Sequence, residues 1–480
     1  MRNVRLILVL TLAACGGEGG PSSPPTAALS GTLAYAVSEC RDTKSGYFLR
    51  QSVQIRQGER QPITVMQVPE IGPIPLGGWC AFRSRGRYGP SSALEGAVQR
   101  LAVSADGATV TFELTDDFSV LGRNWLAAEL KGIFVVRADG SGLRRLGPPS
   151  RQASFVNPPG WFRNDLSFSP DGRTLTFPDL GPGPDGTETS QIFLEDVATG
   201  ARAQITHLPT ATPAPDLPRG HPSAWLPRFL DNETVAFYTD TDIDGANPQG
   251  EAVAATVKRD GSSLKVLPQV ALPGSQINPT FVITGDRPEA VPVFLPGEPV
   301  NHSTYCGATF IFELFLADGD NVLQLTNFHR ADTGTNGAFV GVDRATVFFE
   351  ASADPLGQNP SQNCELFSID RVGANLRQLT SFHETDHAAH GCCFGAVGSG
   401  CAVQPVNVLG LGQDVRTQTL VFYSSCDPLG TNPNGGQIFA MRPDGADLHQ
   451  LTNARGLVTE SDRTVIGELP RPFAFSSTPP

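Results

Sequence analysis

Beyond its first fifteen residues the chain has no apolar run long enough to cross a bilayer, which takes about 20 residues. Charge is scarce as well. Asp, Glu, Lys and Arg make up 17% of the 480 residues, and 48 acids against 35 bases leave a formal net charge of -13. That balance argues against a nucleic-acid partner, because nothing would neutralise phosphates. Long uninterrupted helical windows are missing too, since 51 glycines and 40 prolines break nearly every one. No G-x-S-x-G elbow occurs, and no stretch outside the repeats described below is long enough for an α/β-hydrolase domain. The glycine-rich piece LGLGQD, 409–414, lacks the phosphate-loop pattern and reads as a turn.

The chain opens MRNVRLILVLTLAAC. Arg2 and Arg5 precede a short apolar run that ends in small residues, which is the pattern of a secretory signal over residues 1–14. Leu12-Ala13-Ala14-Cys15 resembles a bacterial lipobox, and that resemblance implies cleavage before Cys15 and a lipid on its thiol. The next stretch, GGEGGPSSPPTAALS at 16–30, has no periodic apolar residue, so residues 15–30 read as a lipidated cysteine and a flexible tether. The expected address is the bacterial cell envelope, with the chain exported and facing the periplasm or the exterior.

Eight cysteines follow Cys15, and an even number in an exported chain points to disulfides. Cys40 and Cys80 stand alone near the N-terminus, and Cys306 and Cys364 lie in neighbouring repeats. Cys392, Cys393, Cys401 and Cys426 would supply two further bonds. Sequence alone leaves the pairing open.

The governing feature is internal repetition. GIFVVRADGSGLRRL (132–146), QIFLEDVATGARAQIT (191–206), AVAATVKRDGSSLKVL (252–267), FIFELFLADGDNVLQLT (310–326), ELFSIDRVGANLRQLT (365–380) and QIFAMRPDGADLHQLT (437–452) share one plan. Each is an apolar run, a turn such as DG, and a second run, most often ending in LT. Alternating side chains around a glycine turn predict a hairpin. A further strand lies upstream of most, as in ATVTFEL, RTLTFPD, ETVAFYT, ATVFFEA and QTLVFYS. Two of these follow an S-x-D-G turn, in VSADGAT and FSPDGRT. The period is roughly 55 to 72 residues, which suits a four-stranded unit that must stack on neighbours to bury both faces.

FSPDGRTLTF at 168–177 and the DG…LRQLT phrases resemble the WD40-like PD40 repeats of TolB-type propellers. The resemblance covers about residues 100 to 455 and is weak over 268–300. It implies an all-β chain with a single β-propeller of four-stranded blades over residues 31–476. Seven blades are expected, with six as the alternative. GTLAYAV at 31–37 starts one blade, and TVIGEL at 464–469 is expected to complete it and close the ring, which removes free sheet edges. The resemblance further implies a non-catalytic module that binds an envelope protein. The competing expectation is a hydrolase or lyase acting on a glycan or peptide in the channel. Trp79, Trp125, Trp161 and Trp225 suit packing between blades better than a carbohydrate platform.

Two stretches carry metal chemistry. DTDIDGANPQGE at 240–251 places Asp240, Asp242, Asp244 and Glu251 at the spacing of a calcium loop. The repeats supply a control, because DPLGQNP (354–360) and DPLGTNP (427–433) share the aspartate, glycine and asparagine of DIDGANP (242–248). Those shared residues suit a tight turn. Asp240 and Asp244 are the additions that calcium would need. FHETDHAAHGCC at 382–393 offers His383, His387 and His390 as a weaker set for zinc or copper, although His383 matches His329 of the preceding repeat.

Overall fold

The computed structural model describes residues 31–74, 97–115, 126–151, 166–209, 224–248, 250, 253–267, 289–296, 310–318, 321–328, 335–351, 353–360, 365–381, 403–405, 413, 418–424, 429 and 436–475. Apart from a single 3-10 turn at Ala128–Leu130, their regular structure is β. No helix among them is long and apolar enough to cross a membrane.

Among the described residues the strands form seven antiparallel sheets, six of four or more strands and one of three, arranged as the blades of a propeller. Blades 2, 3, 4, 6 and 7, over residues 98–147, 167–204, 225–266, 335–378 and 403–450, each show four strands, A to D from the inside outward. Blade 2 is representative: Val98–Val103, Thr109–Leu114, Gly132–Arg137 and Arg144–Gly147. Blade 5 shows three strands among the described residues, Glu289–Pro296, Phe310–Asp318 and Asn321–Gln324.

Blade 1 closes the ring. The C-terminal strand Val465–Phe475 lies between Gly456–Thr459 and the first strand, Thr32–Thr43, and Gly46–Gln57 and Ile63–Ile74 complete the sheet. Leu33 pairs with Phe475 at one end and Asp42 with Val465 at the other. The expected closing strand is therefore present, and it runs six residues beyond the phrase that announced it.

The core lies between blades. Ala34, Val53 and Ile55 of blade 1 pack with Val98, Val110 and Phe112 of blade 2. Blade 7 meets blade 1 through Val421, Tyr423, Leu33 and Phe473. Similar clusters join blade 2 to 3, 3 to 4, 5 to 6 and 6 to 7. Inside blades 2, 3, 6 and 7 the recurring phenylalanines of strands B and C sit directly opposite one another. The pairs Phe112–Phe134, Phe177–Phe193, Phe349–Phe367 and Phe422–Phe439 have centroid separations of 5.4, 6.4, 5.6 and 5.8 Å. Such cross-strand aromatic pairs add to the stabilisation from area burial.

Antiparallel order puts the A–B and C–D turns at one end of each blade and the B–C connections at the other. The A–B and C–D ends meet from blade to blade and form a turn face. Asp171 N–H, in blade 3, donates to Asn232 Oδ1 in the A–B turn of blade 4 at 3.1 Å. The C–D glycines press on the preceding blade. Gly445 has φ +84°, and a Cβ there would come within 2.8 Å of the Leu379 carbonyl oxygen. The DG of the repeat thus answers two demands at once, a left-handed turn and close approach between backbones.

Candidate functional site

The B–C end is opposite the turn face. Its geometry begins with a clasp that explains the LT of the repeat. The third strand of blades 3, 5, 6 and 7 carries a glutamine or glutamate at this end, and the threonine of LT or IT reaches it across the hairpin. Thr206 Oγ1 donates to Gln191 Oε1 at 2.8 Å and accepts from Ile192 N–H at 2.8 Å. Thr326 does the same with Glu313 (2.6 Å) and Leu314 N–H (2.8 Å). Thr380 repeats it with Glu365 and Leu366, and Thr452 with Gln437 and Ile438. The glutamine two places earlier then donates to the threonine's carbonyl in all four copies, at 2.6 to 2.8 Å. Every threonine hydroxyl in the set is satisfied as both donor and acceptor, which is what burial requires.

The opening turn of the calcium-like stretch is likewise structural. Asp242 Oδ1 accepts from Asn247 N–H at 2.7 Å, and Asn247 Nδ2 reaches the Thr241 carbonyl at 3.4 Å. Blade 6 repeats both contacts, with Asp354 and Asn359 at 2.7 Å and Asn359 and Ala353 at 3.3 Å. Gly245 and Gly357 have φ of 75° and 69°. The third copy, around Asp427, lies largely outside the described residues.

Asp240 differs from its companions. It follows strand Thr234–Thr239 directly, is 5% exposed, and its Oδ1 has no hydrogen-bond partner. Burial pushes its carboxyl up to about 7. Asp242 and Asp244 are exposed, and Asp244 has φ 54°. Among the described residues no three His, Cys, Asp or Glu side chains are grouped as a metal ion would need. Glu251, His383, His387, His390 and Cys15 all lie outside them. Cys40 is the one described cysteine; it is 5% exposed and disulfide-bonded.

At the tip of the shared turn, Asp244 of blade 4 corresponds to Leu356 of blade 6 and Leu429 of blade 7. The two leucines are 40% and 41% exposed. Blades 6 and 7 are neighbours in the ring, so two adjacent blades carry an exposed leucine at the matching sequence position.

Buried ions not singled out in the sequence include acids late in the B strands, Glu113, Asp179 and Glu350, of which Glu113 and Asp179 meet arginines on other strands of their own blades. Arg100 and Glu113 pair at 2.7 Å with side chains 5% and 1% exposed. In blade 3, Arg202 Nε donates to Glu195 Oε2 at 2.6 Å and Nη1 to Asp179 Oδ2 at 3.1 Å, with its guanidinium 4.7 Å from the Phe177 ring. Burial raises the Glu195 carboxyl, with Arg202 opposing the shift. Glu350 of blade 6 is 2% exposed, and burial holds its carboxyl well above the ordinary range. The readable signal was one charged residue late in an otherwise apolar B strand, as in TFEL, TFPD and FFEA.

Blade 1 projects from this end. Three of its strands have twelve residues and its closing strand eleven, whereas the B and C strands of blade 2 have six. At about 3.3 Å per residue that is about 40 Å against about 20 Å. Cys40, Tyr47, Leu49, Val68 and Ile71 of the added length are buried. Glu39, Arg41, Arg50, Glu70, Arg455 and Glu468 form an ion-pair ladder on it, including Arg455 to Glu39 at 2.7 Å and Arg41 to Glu70 at 3.1 Å.

No protein-family model matches the chain, and no curated protein matches it. Among solved structures it is similar to a prolyl endopeptidase, with 12% identity and a TM-score of 0.42 over 87% of this chain and 50% of that one. It thus spans about half the length of that enzyme. It is similar to TolB from Acinetobacter baumannii, with 11% identity and a TM-score of 0.33 over 92% of this chain and 83% of that one. It is also similar to an oligogalacturonate lyase in complex with manganese, with 10% identity and a TM-score of 0.38 over 75% and 77%. These likenesses are of fold, and the sheets themselves establish the arrangement: the chain is an all-β propeller of antiparallel blades, with TolB-like propellers among its structural neighbours.

Proposed function

We propose that this chain is an exported, lipid-anchored propeller that binds an envelope protein through the B–C end of its blades. The observation that carries the reading is the pair of exposed leucines, Leu356 and Leu429, on adjacent blades. The turn that holds Leu356 is closed by Asp354 and Asn359, not by the leucine. Burying the exposed part of each leucine against a partner would contribute about 0.6–1.2 kcal/mol. The test places a photo-crosslinking residue at position 356 of the full chain in envelope extract, identifies what it captures, and measures affinity with both proteins purified. Leu356→Asp with Leu429→Asp is expected to weaken binding at least tenfold with an unchanged melting temperature. Unchanged affinity would refute the reading, as would turnover of a glycan or peptide with no captured protein. The competing enzyme reading draws on Asp240, whose buried acid with a pKa of about 7 is suited to proton donation.

A structural calcium ion at the Asp240 turn is a second proposal, supported by the unpartnered Oδ1 of Asp240. Calorimetric titration of the metal-stripped chain with calcium is expected to release heat in the parent and none in Asp240→Asn. A silent parent rejects the ion.

A further inference from the structure

The place where the chain enters the propeller has a bearing on how the molecule stands on a membrane. Thr32 Oγ1 donates to the Gly107 carbonyl in the A–B turn of blade 2 at 2.7 Å. Gly58 N–H, in the C–D turn of blade 1, donates to the Gly31 carbonyl at 3.0 Å. Both bonds pin the start of the first strand to the turn face. From there Thr32–Thr43 runs the length of blade 1 to the exposed Lys44 and Ser45 at the tip of its projection, about 40 Å away.

Only residues 16–30 separate that entry point from Cys15. Their sequence is rich in glycine, serine and proline and carries a single charge, Glu18. A glycine- and serine-type linker of that length has a root-mean-square span of about 20–25 Å, and full extension would give about 55 Å. If the projection lay against the bilayer, the tether would have to run back along blade 1 for about 40 Å. A Gaussian tether reaches that span roughly a hundredfold less often than it adopts a compact state.

We propose, on the reading of a lipid-anchored chain, that the turn face is directed toward the bilayer and the blade 1 projection away from it. The B–C end, with Leu356 and Leu429, then opens to the space beyond the lipid. The partner it suits is a protein arriving from that space, not a helix embedded in the same membrane.

The experiment uses the full chain purified with its lipid and inserted in vesicles that carry an acceptor dye at the bilayer surface. A genetically encoded fluorescent residue replaces either Arg60, exposed in the C–D turn of blade 1, or Lys44 at the opposite end of the same strand pair. Energy transfer is expected to be clearly stronger from position 60. Equal transfer, or stronger transfer from position 44, with the protein still on the vesicles overturns the orientation alone. A parent that fails to float with vesicles, or a Cys15→Ser variant that floats as well as the parent, removes the anchored reading and the orientation with it.

Discussion

Asp240 is where a single side chain has the largest stake in pH. Its carboxyl is raised by burial to about 7 from the ordinary 3.8. The folded state therefore holds its proton more tightly than the unfolded state. Stability from this group is fully present below about pH 4 and is lost as pH rises through about 7, by up to about 1.4 kcal/mol per pH unit in between. In calcium-free buffer, urea melts of the parent from pH 4 to pH 8 are expected to show that decline. Asp240→Asn, which keeps the shape and cannot ionise, is expected to flatten it and to be the more stable protein at pH 8. Equal slopes in the two proteins would show that the proton is not held there. The sequence shows Asp240 as one carboxylate among several in a loop pattern. Its burial was not legible, because Thr239 and Asp240 go inside only when the blade's neighbours are in place.

The repeating elements were the most legible part of the chain. The DG hairpins, the S-x-D-G turns and the shared DxxGxNP turn follow from side-chain capping and glycine geometry, which act within a few residues. Ser104 Oγ, for example, donates to Asp106 Oδ1 at 2.6 Å, and Ser169 Oγ to Asp171 Oδ1 at the same distance. The clasp was hidden because its partners lie far apart along the hairpin, as with Glu365 and Thr380. It makes a sharp prediction. Thr380→Val leaves the Leu366 N–H without its acceptor and takes a donor from buried Glu365. The expected cost is about 2–4 kcal/mol in chemical denaturation, whereas Thr380→Ser keeps the hydroxyl and should cost under about 1.5 kcal/mol. Similar losses in both variants would assign the effect to packing. The length of blade 1 was also missed. Phrases such as GTLAYAV show where a strand begins, but the alternation of Glu39, Arg41 and Glu70 on the added length resembles an ordinary polar connection.

For the whole molecule, closure matters most. The ring is completed by a strand from each end of the described chain, Thr32–Thr43 and Val465–Phe475. Removing residues 465–480 would expose one edge of Thr32–Thr43 along its length and take Phe473 and Phe475 out of the cluster with Val421 and Tyr423. The truncated chain is expected to lose the cooperative thermal transition and to bind a hydrophobic dye. Restoring the strand as a separate peptide, 460–480, is expected to recover part of the transition. A truncated chain that melts like the parent would show that the remaining blades close without it. The sheet count was partly legible from the repeats: six phrases mark six sheets, GTLAYAV marks the first, and the stretch of weak resemblance, 268–300, reaches into the sheet with three described strands.

That closure also sets a schedule. The first strand, Thr32–Thr43, leaves the ribosome long before its partner, Val465–Phe475. Until then one edge of blade 1 stays open, and no contact made by the earlier blades can substitute for the missing ladder. A nascent chain thus keeps blade 1 unfinished until Val465–Phe475 has been made. A premature stop before residue 465 is expected to leave the edge of Thr32–Thr43 unpaired, which gives an incomplete copy an open sheet edge that the complete chain lacks.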